Sequence, residues 1–373
     1  MAGLWADSPD YYNTAQLQRI WTSLTGTGGG SGCTVTSGLG RRTGQNTIQM
    51  ANVTAVPAAF TSTALQKTLV PGSATIIHAF AIYFYDYSLM GLEQPFWGVG
   101  DATVFHVGLA MRADKTLIFT RGPNFGSSSL GTTIATAPTP ISINTWYHFS
   151  IKVKIDDAVG TLSFKLNRVE QLNGGLGYTN LDTRNAGSVG WSRVCFFNGK
   201  CNSGEPAEPP AYRVTDQVIC DDTGPRNNDH PGDCSVLAQL PNAGNGANVD
   251  WTPSAGTDHG TLVREAVADD DTSYNQGTAA GQRDTYIYAP LSIPLGTPKF
   301  LITRPCMKLT SAGSQLVMDV IRKGGTNYDG VNPQSPTSGT YAYYDFLREL
   351  DPQTGLPWTI SGINASESGL LMP

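Results

Sequence analysis

Trp146-Tyr-His-Phe-Ser-Ile-Lys-Val-Lys-Ile155 puts Tyr147, Phe149, Ile151, Val153 and Ile155 on one side of an extended chain. Trp146, His148, Ser150, Lys152 and Lys154 fall on the other. A period of two with one apolar side is the pattern of a strand that packs one face on a core and turns the other to water. The acidic turn Asp156-Asp-Ala-Val-Gly160 follows, and Thr161-Leu-Ser-Phe-Lys-Leu166 alternates again through Leu162, Phe164 and Leu166. The two runs predict an antiparallel hairpin with a longer loop.

Outward from this hairpin the same texture continues. Ala74-Thr-Ile-Ile-His-Ala-Phe-Ala-Ile-Tyr-Phe-Tyr85 reads as a long, largely buried strand. Thr103–Arg112, Leu117–Arg121 and Arg193–Asn198 are further strands bounded by turn residues, and short strands at this spacing predict a sandwich. One short early helix is expected, capped by Asn13 or Thr14 and carrying Leu17, Ile20, Trp21 and Leu24. The glycine run Gly28-Gly-Gly-Ser-Gly32 has no lysine in phosphate-loop spacing, so it is read as a loop.

Composition agrees with an all-β chain. The 373 residues include 42 Gly and 23 Pro, and only 14% are charged, against about 25% in an average protein. Lys and Arg number 24 against 30 Asp and Glu, a net charge of −6, which argues against a nucleic-acid partner. No apolar run approaches the roughly 20 residues of a membrane-spanning helix, and Met1–Asp10 lacks the layout of a secretory signal. No membrane insertion is expected.

The negative charge is local. Arg213 to Asp284 holds 12 carboxylates and 4 arginines, so the remainder of the chain is slightly positive. This stretch is dense in turn chemistry and follows the extended excursion Gly204–Pro210. Strands resume at Thr285–Tyr288, Phe300–Thr303, Met307–Thr310, Gln315–Ile321 and Tyr341–Leu347. Two domains are therefore expected, a sandwich over 1–215 and a smaller β-rich unit over 216–373 that opens with the acidic segment.

Candidate chemistry is sparse. Glu93, Glu170, Glu205, Glu208 and Glu265 fall at turns or edges, while Glu349 and Glu367 have no paired carboxylate in strand register. A glycosidase needs two carboxyl groups facing each other about 5–9 Å apart, so that chemistry is not expected. His78, His106 and His148 sit inside strands and read as hydrogen-bonded structural residues. His230 and His259 lie in acidic loops, as surface ligands or turn residues. Asp221, Asp222, Asp229 and Asp233, or the run Asp269–Asp271, offer oxygen ligands for a structural Ca²⁺, although Asp also forms ordinary turns. No other cofactor is implied. Cys195 with Cys201, and Cys220 with Cys234, are close enough in sequence to bridge across turns. Free thiols are the alternative, and Cys33 and Cys306 have no such neighbour. Trp97 and Trp191 are candidates for a glycan-stacking platform or, alternatively, core residues.

Several segments carry a family resemblance. Trp5-Ala-Asp-Ser-Pro-Asp-Tyr-Tyr12 through Leu17-Gln-Arg-Ile-Trp21, the opening Trp146-Tyr-His-Phe149 and Thr179-Asn-Leu-Asp-Thr183 resemble concanavalin A-like, laminin-G-like jelly-roll modules. Val218-Ile-Cys-Asp-Asp-Thr-Gly224, Asn227-Asn-Asp-His-Pro-Gly-Asp233, Asp250-Trp-Thr-Pro253, Gly256-Thr-Asp-His259 and Asp269-Asp-Asp-Thr-Ser-Tyr274 resemble virion proteins of tailed bacteriophages, as do Asp351–Thr359 and Ile363–Glu367. The resemblance implies a non-catalytic virion structural protein, made in the bacterial host cytoplasm and placed on the outer surface of the particle. A tail, collar or fibre component is expected, in contact with other virion proteins as a homo-oligomer, a trimer first. Two alternatives are a decoration protein of the capsid and an adsorption lectin for a host surface glycan.

Overall fold

The computed structural model describes residues 2–25, 32–50, 62–86, 93–123, 130–187, 190–199, 211–291, 296–310 and 315–373. Gly28–Gly30, Cys201 and the 204–210 excursion with Glu205 and Glu208 lie outside the described residues. The chain divides into two compact units, Met1–Val236 and Leu237–Pro373.

The first unit is a sandwich of two antiparallel sheets with jelly-roll architecture. One sheet runs, edge to edge, Val169–Glu170, Gly160–Leu166, Trp146–Lys154, Thr75–Asp86, Ala211–Cys220, Thr47–Met50 and Cys33–Thr36, with Gly3–Asp7 and Tyr178–Leu181 paired off this path. The other runs Thr132–Ala137, Leu117–Arg121, Phe105–Met111, Gln94–Gly100, Arg193–Gly199, Ser62–Thr68 and Ser23–Thr25. The expected hairpin forms, with Phe149 opposite Leu166, Ile151 opposite Phe164 and Val153 opposite Leu162. The long strand Thr75–Asp86 lies centrally between Trp146–Lys154 and Ala211–Cys220, and its residues from Thr75 to Ile82 are buried on both faces.

Aromatic rings from the two inner faces interdigitate. Phe119 meets Phe164 at 5.4 Å between ring centroids, and Phe80 meets Phe196 edge-on at 5.0 Å. Phe149, Ile151, Val153, Leu162 and Phe164 are fully buried among them.

The expected wet face of Trp146–Lys154 differs from its sequence pattern. His148 and Ser150 are buried, because residues 224–236 lie over this outer face without regular secondary structure. The early helix is also shorter than its apolar spacing implies, Leu17–Ile20. Trp21 turns extended to pack its indole edge-on against Trp5 at 5.1 Å, and Leu24 pairs with Leu65 in a strand.

The boundary between units falls after Val236 and not after residue 215. Ala211–Cys220 is an interior strand of the first sheet, bonded to Thr75–Asp86, Thr47–Met50 and Gly3–Asp7. The following segment stays attached to the same unit as far as Val236, whose N–H donates to Asp216 Oδ1 at 2.9 Å.

The second unit is also β. Arg283–Tyr286, Ser366–Leu371, Met318–Lys323 and Thr326–Asp329 form a four-stranded sheet. Three two-stranded ribbons join Thr252–Pro253 to Asn275–Gln276, Leu301–Thr303 to Phe346–Arg348, and Cys306–Met307 to Ala342–Tyr343. A small core forms around Val317, Phe346 and Leu370, with Trp251, Met307 and Tyr344 packed on it.

Candidate ligand-binding site

A cleft of about 730 Å³ opens at one end of the sandwich, where the 71–74, 101–103 and 190–192 connections meet. Its geometry starts from Gly100, where a Cβ would lie 2.1 Å from the Val104 carbonyl, so only glycine lets the chain turn this tightly. Asp101 follows. Its Oδ1 accepts the Thr103 N–H at 2.7 Å, the Thr103 hydroxyl at 2.8 Å and the Val104 N–H at 2.8 Å, which fixes the turn. Its Oδ2 lies 3.8 Å from Nε2 of buried His106. His106 Nδ1 accepts the Asn185 N–H, so the neutral ring carries its proton on Nε2. Burial holds the His106 value below that of an ordinary imidazole, against the attraction of Asp101.

The facing walls are equally well tied. Trp191 donates its indole N–H to the Thr75 carbonyl at 3.1 Å, and the Ser192 N–H donates to the Gly100 carbonyl at 2.9 Å. The Gly72 N–H donates to Asp221 Oδ2 at 2.7 Å, while Thr223 donates its N–H and hydroxyl to Asp221 Oδ1. The Thr75 hydroxyl donates to Asp222 Oδ2 at 2.7 Å. The cleft is therefore walled by loops tied to one another, with Ser73, Asp101, Thr103 and Ser192 as its polar lining side chains. Such a lining recognises a ligand by accepting and donating hydrogen bonds.

The four carboxylates with the strongest expectation of Ca²⁺ binding do not converge. Asp221 and Asp222 tie the cleft wall, Asp229 pairs with Lys152 at 3.0 Å, and Asp233 pairs with Arg41 at 2.5 Å. Among the described residues no three His, Cys, Asp or Glu side chains gather as a metal group. Asp269 accepts from the Ser273 hydroxyl and Asp271 from Lys308, so these too hold local structure.

The expected disulfides do not form among the described residues. Cys33, Cys195, Cys220, Cys234 and Cys306 form no disulfide with one another. Cys220 lies in the interior strand, whereas Cys234 is held over His148 with Sγ 3.9 Å from Nε2. Cys195 donates to Gln66 Oε1, and its expected partner Cys201 is outside the described residues. Burial pushes the thiols of Cys33, Cys195 and Cys234 up to about 12, far from a reactive thiolate.

Neither tryptophan is a platform. Trp97 is fully buried and donates to His78 Nδ1 at 2.9 Å, while Trp191 keeps 3% of its surface. Trp191 borders the cleft, but by the rim of a ring fixed to Thr75.

The histidines in strands are all buried, His148 against the expected wet face, and burial pulls His78 down to about 3. His259 is not a surface ligand: it is buried with Nδ1 2.8 Å from Asp284 Oδ1, and Tyr286 donates to the other oxygen of Asp284 at 2.6 Å. Burial raises the Asp284 value despite both partners.

Sequence reading missed the environment of His230. Its Nδ1 lies 2.7 Å from Ser150 Oγ and its Nε2 lies 2.7 Å from Ser163 Oγ, and Ser163 donates to Glu170. In a nucleophilic relay the acid orients the imidazole. Here Glu170 takes the serine proton instead and also accepts the Phe164 and Leu172 N–H groups, so the cluster holds a hairpin and its cover together. Asp101 was missed as well, although its signal was present: Asp before Ala-Thr, directly after glycine, is turn chemistry.

No protein-family model matches the chain, and no curated protein matches it. Solved structures similar to it include a GH131 β-glucanase catalytic domain from Podospora anserina, at 10% identity over 60% of this chain and 97% of that one, with a TM-score of 0.39. Another is the lectin UEA-II complexed with galactose, at 10% identity over 58% and 98%, TM-score 0.35. A third is the CBM2 module of the evolved Dit of Lactobacillus casei BL23 phage J-1, at 13% identity over 46% and 75%, TM-score 0.30. At these scores the likenesses carry no inference about what this chain binds or does.

Proposed function

We propose that the chain is a non-catalytic surface component of a tailed-bacteriophage particle, in its tail, collar or fibre apparatus. One observation carries the non-catalytic part. The side chains with the best chemical credentials, Asp221, Asp229, Asp233, Glu170, His230 and His259, are each bonded to the chain's own loops and strands. Residues of the phage-like motifs at 218–224, 227–233 and 256–259 are among these ties, so the resemblance and the geometry concern the same side chains. The mechanism is docking and display, with the particle holding one face and the sandwich loops facing outward, in an oligomer of identical copies. Mass spectrometry of purified particles, with and without surface proteolysis, tests it: the chain is expected in stoichiometric amount and cleavable from outside. Its absence from washed particles would contradict the proposal.

The cleft favours a second reading, an adsorption lectin for a host surface glycan, with the site at Asp101 and Ser73 and not at a tryptophan platform. Ala102 is exposed on the rim, so Ala102→Trp fills the cleft without touching the core. A glycan array is expected to lose its hits with this variant; an array with no hits for the unaltered chain removes the lectin reading.

A further inference from the structure

Residues 224–236 cover the outer face of the nine-stranded sheet, and polar contacts pin them there. Lys152 donates to the Asn228 carbonyl and to Asp229, Arg41 to Asp233 and Ser235, and Arg42 to the Val236 carbonyl. At the centre, the hydrogen bonds of His230 have a direction. Ser163 donates its hydroxyl proton to Glu170, so its oxygen accepts from His230 Nε2–H, and His230 Nδ1 is left to accept the Ser150 hydroxyl. This chain of donors holds only while the imidazole is neutral. A second proton would sit on Nδ1 and force the buried Ser150 hydroxyl to turn away from its acceptor.

The other end of the cover repeats the constraint. His148 is buried with Nδ1 unpartnered and Nε2 facing the Cys234 sulfur, so its protonation would leave a charged N–H without an acceptor. We propose that residues 224–236 are an acid-released latch, closed over Ser150 and Ser163 at neutral pH and lifted when His230 and His148 take up protons.

The charges facing each ring do not undo this. Lys152 and Lys165 oppose a charge on His230, while Asp229 and Glu170 favour it. Arg41 and Arg168 oppose a charge on His148, while Asp233 and Asp216 favour it. Burial outweighs all of them and brings both rings down to about 4. A base depressed in the closed state favours closure above its free value near 6.5, and the preference is lost as pH falls towards 4.

Amide correlation spectra of the ¹⁵N-labelled full chain, titrated from pH 7.5 to 4.5, test the latch. Between pH 7 and pH 5 the opening equilibrium of residues 224–236 is expected to rise about twentyfold for each histidine, while core amides of the opposite sheet such as that of Phe119 keep their positions. The double variant His148→Gln, His230→Gln should flatten the response, and Ser163→Ala should raise opening already at pH 7. Cover amides that stay docked to pH 4.5 would overturn the proposal. So would an unchanged response in the double variant, or opening that coincides with loss of the core.

Discussion

Asp101 is the residue on which the cleft turns, since one buried carboxylate oxygen accepts three donors from its own loop. Asp101→Ala leaves those donors without an acceptor, which is expected to cost about 2 kcal/mol of unfolding free energy in urea denaturation. Asp101→Asn keeps the acceptor oxygen and should recover most of the loss. Histidines set the acid response of the first unit. Burial, above all, holds His78 down at about 3 and His148 and His230 at about 4. A base with a depressed folded value lends stability above about 6.5 and loses it as pH falls. Each should remove about 2–3 kcal/mol by pH 4.5, so the denaturation midpoint of the first unit should fall steadily below pH 6.5. A midpoint flat from pH 7 to 4.5 would contradict these burial assignments.

At the level of elements, the hairpin Trp146–Lys154 with Gly160–Leu166 was legible because its inner face is a strict alternation of large apolar side chains. Phe164 packs between Phe119 and Phe149, so Phe164→Ala should cost about 3–5 kcal/mol, read as a shift in the urea midpoint. What alternation does not encode is what covers the outer face. Ser150 and Lys152 look alike in sequence as water-facing residues, yet Ser150 is buried by His230 from 80 positions away. Short strands were legible only in part. Tyr341–Leu347 reads as one strand but splits into Ala342–Tyr343 and Phe346–Arg348, because these pieces pair with different partners, Cys306–Met307 and Leu301–Thr303. Partner choice over such short runs is a tertiary matter.

For the molecule as a whole, the all-β class followed from composition and alternation, whereas the border between units did not. The turn-rich acidic stretch looks like a domain opening, but its first part is bonded to Arg41, Arg42 and Lys152 of the sandwich. Calorimetry of the full chain should therefore resolve two transitions, one for each unit, and mild proteolysis should yield a stable fragment ending near Val236 and not near residue 215. A single transition with no such fragment would contradict the division. The place of the chain on the particle is read by immunogold electron microscopy of intact particles. Gold is expected at the neck, tail or fibres. Gold spread over the head would make the chain a decoration protein instead, and intact particles bearing no gold would contradict a role on the virion surface.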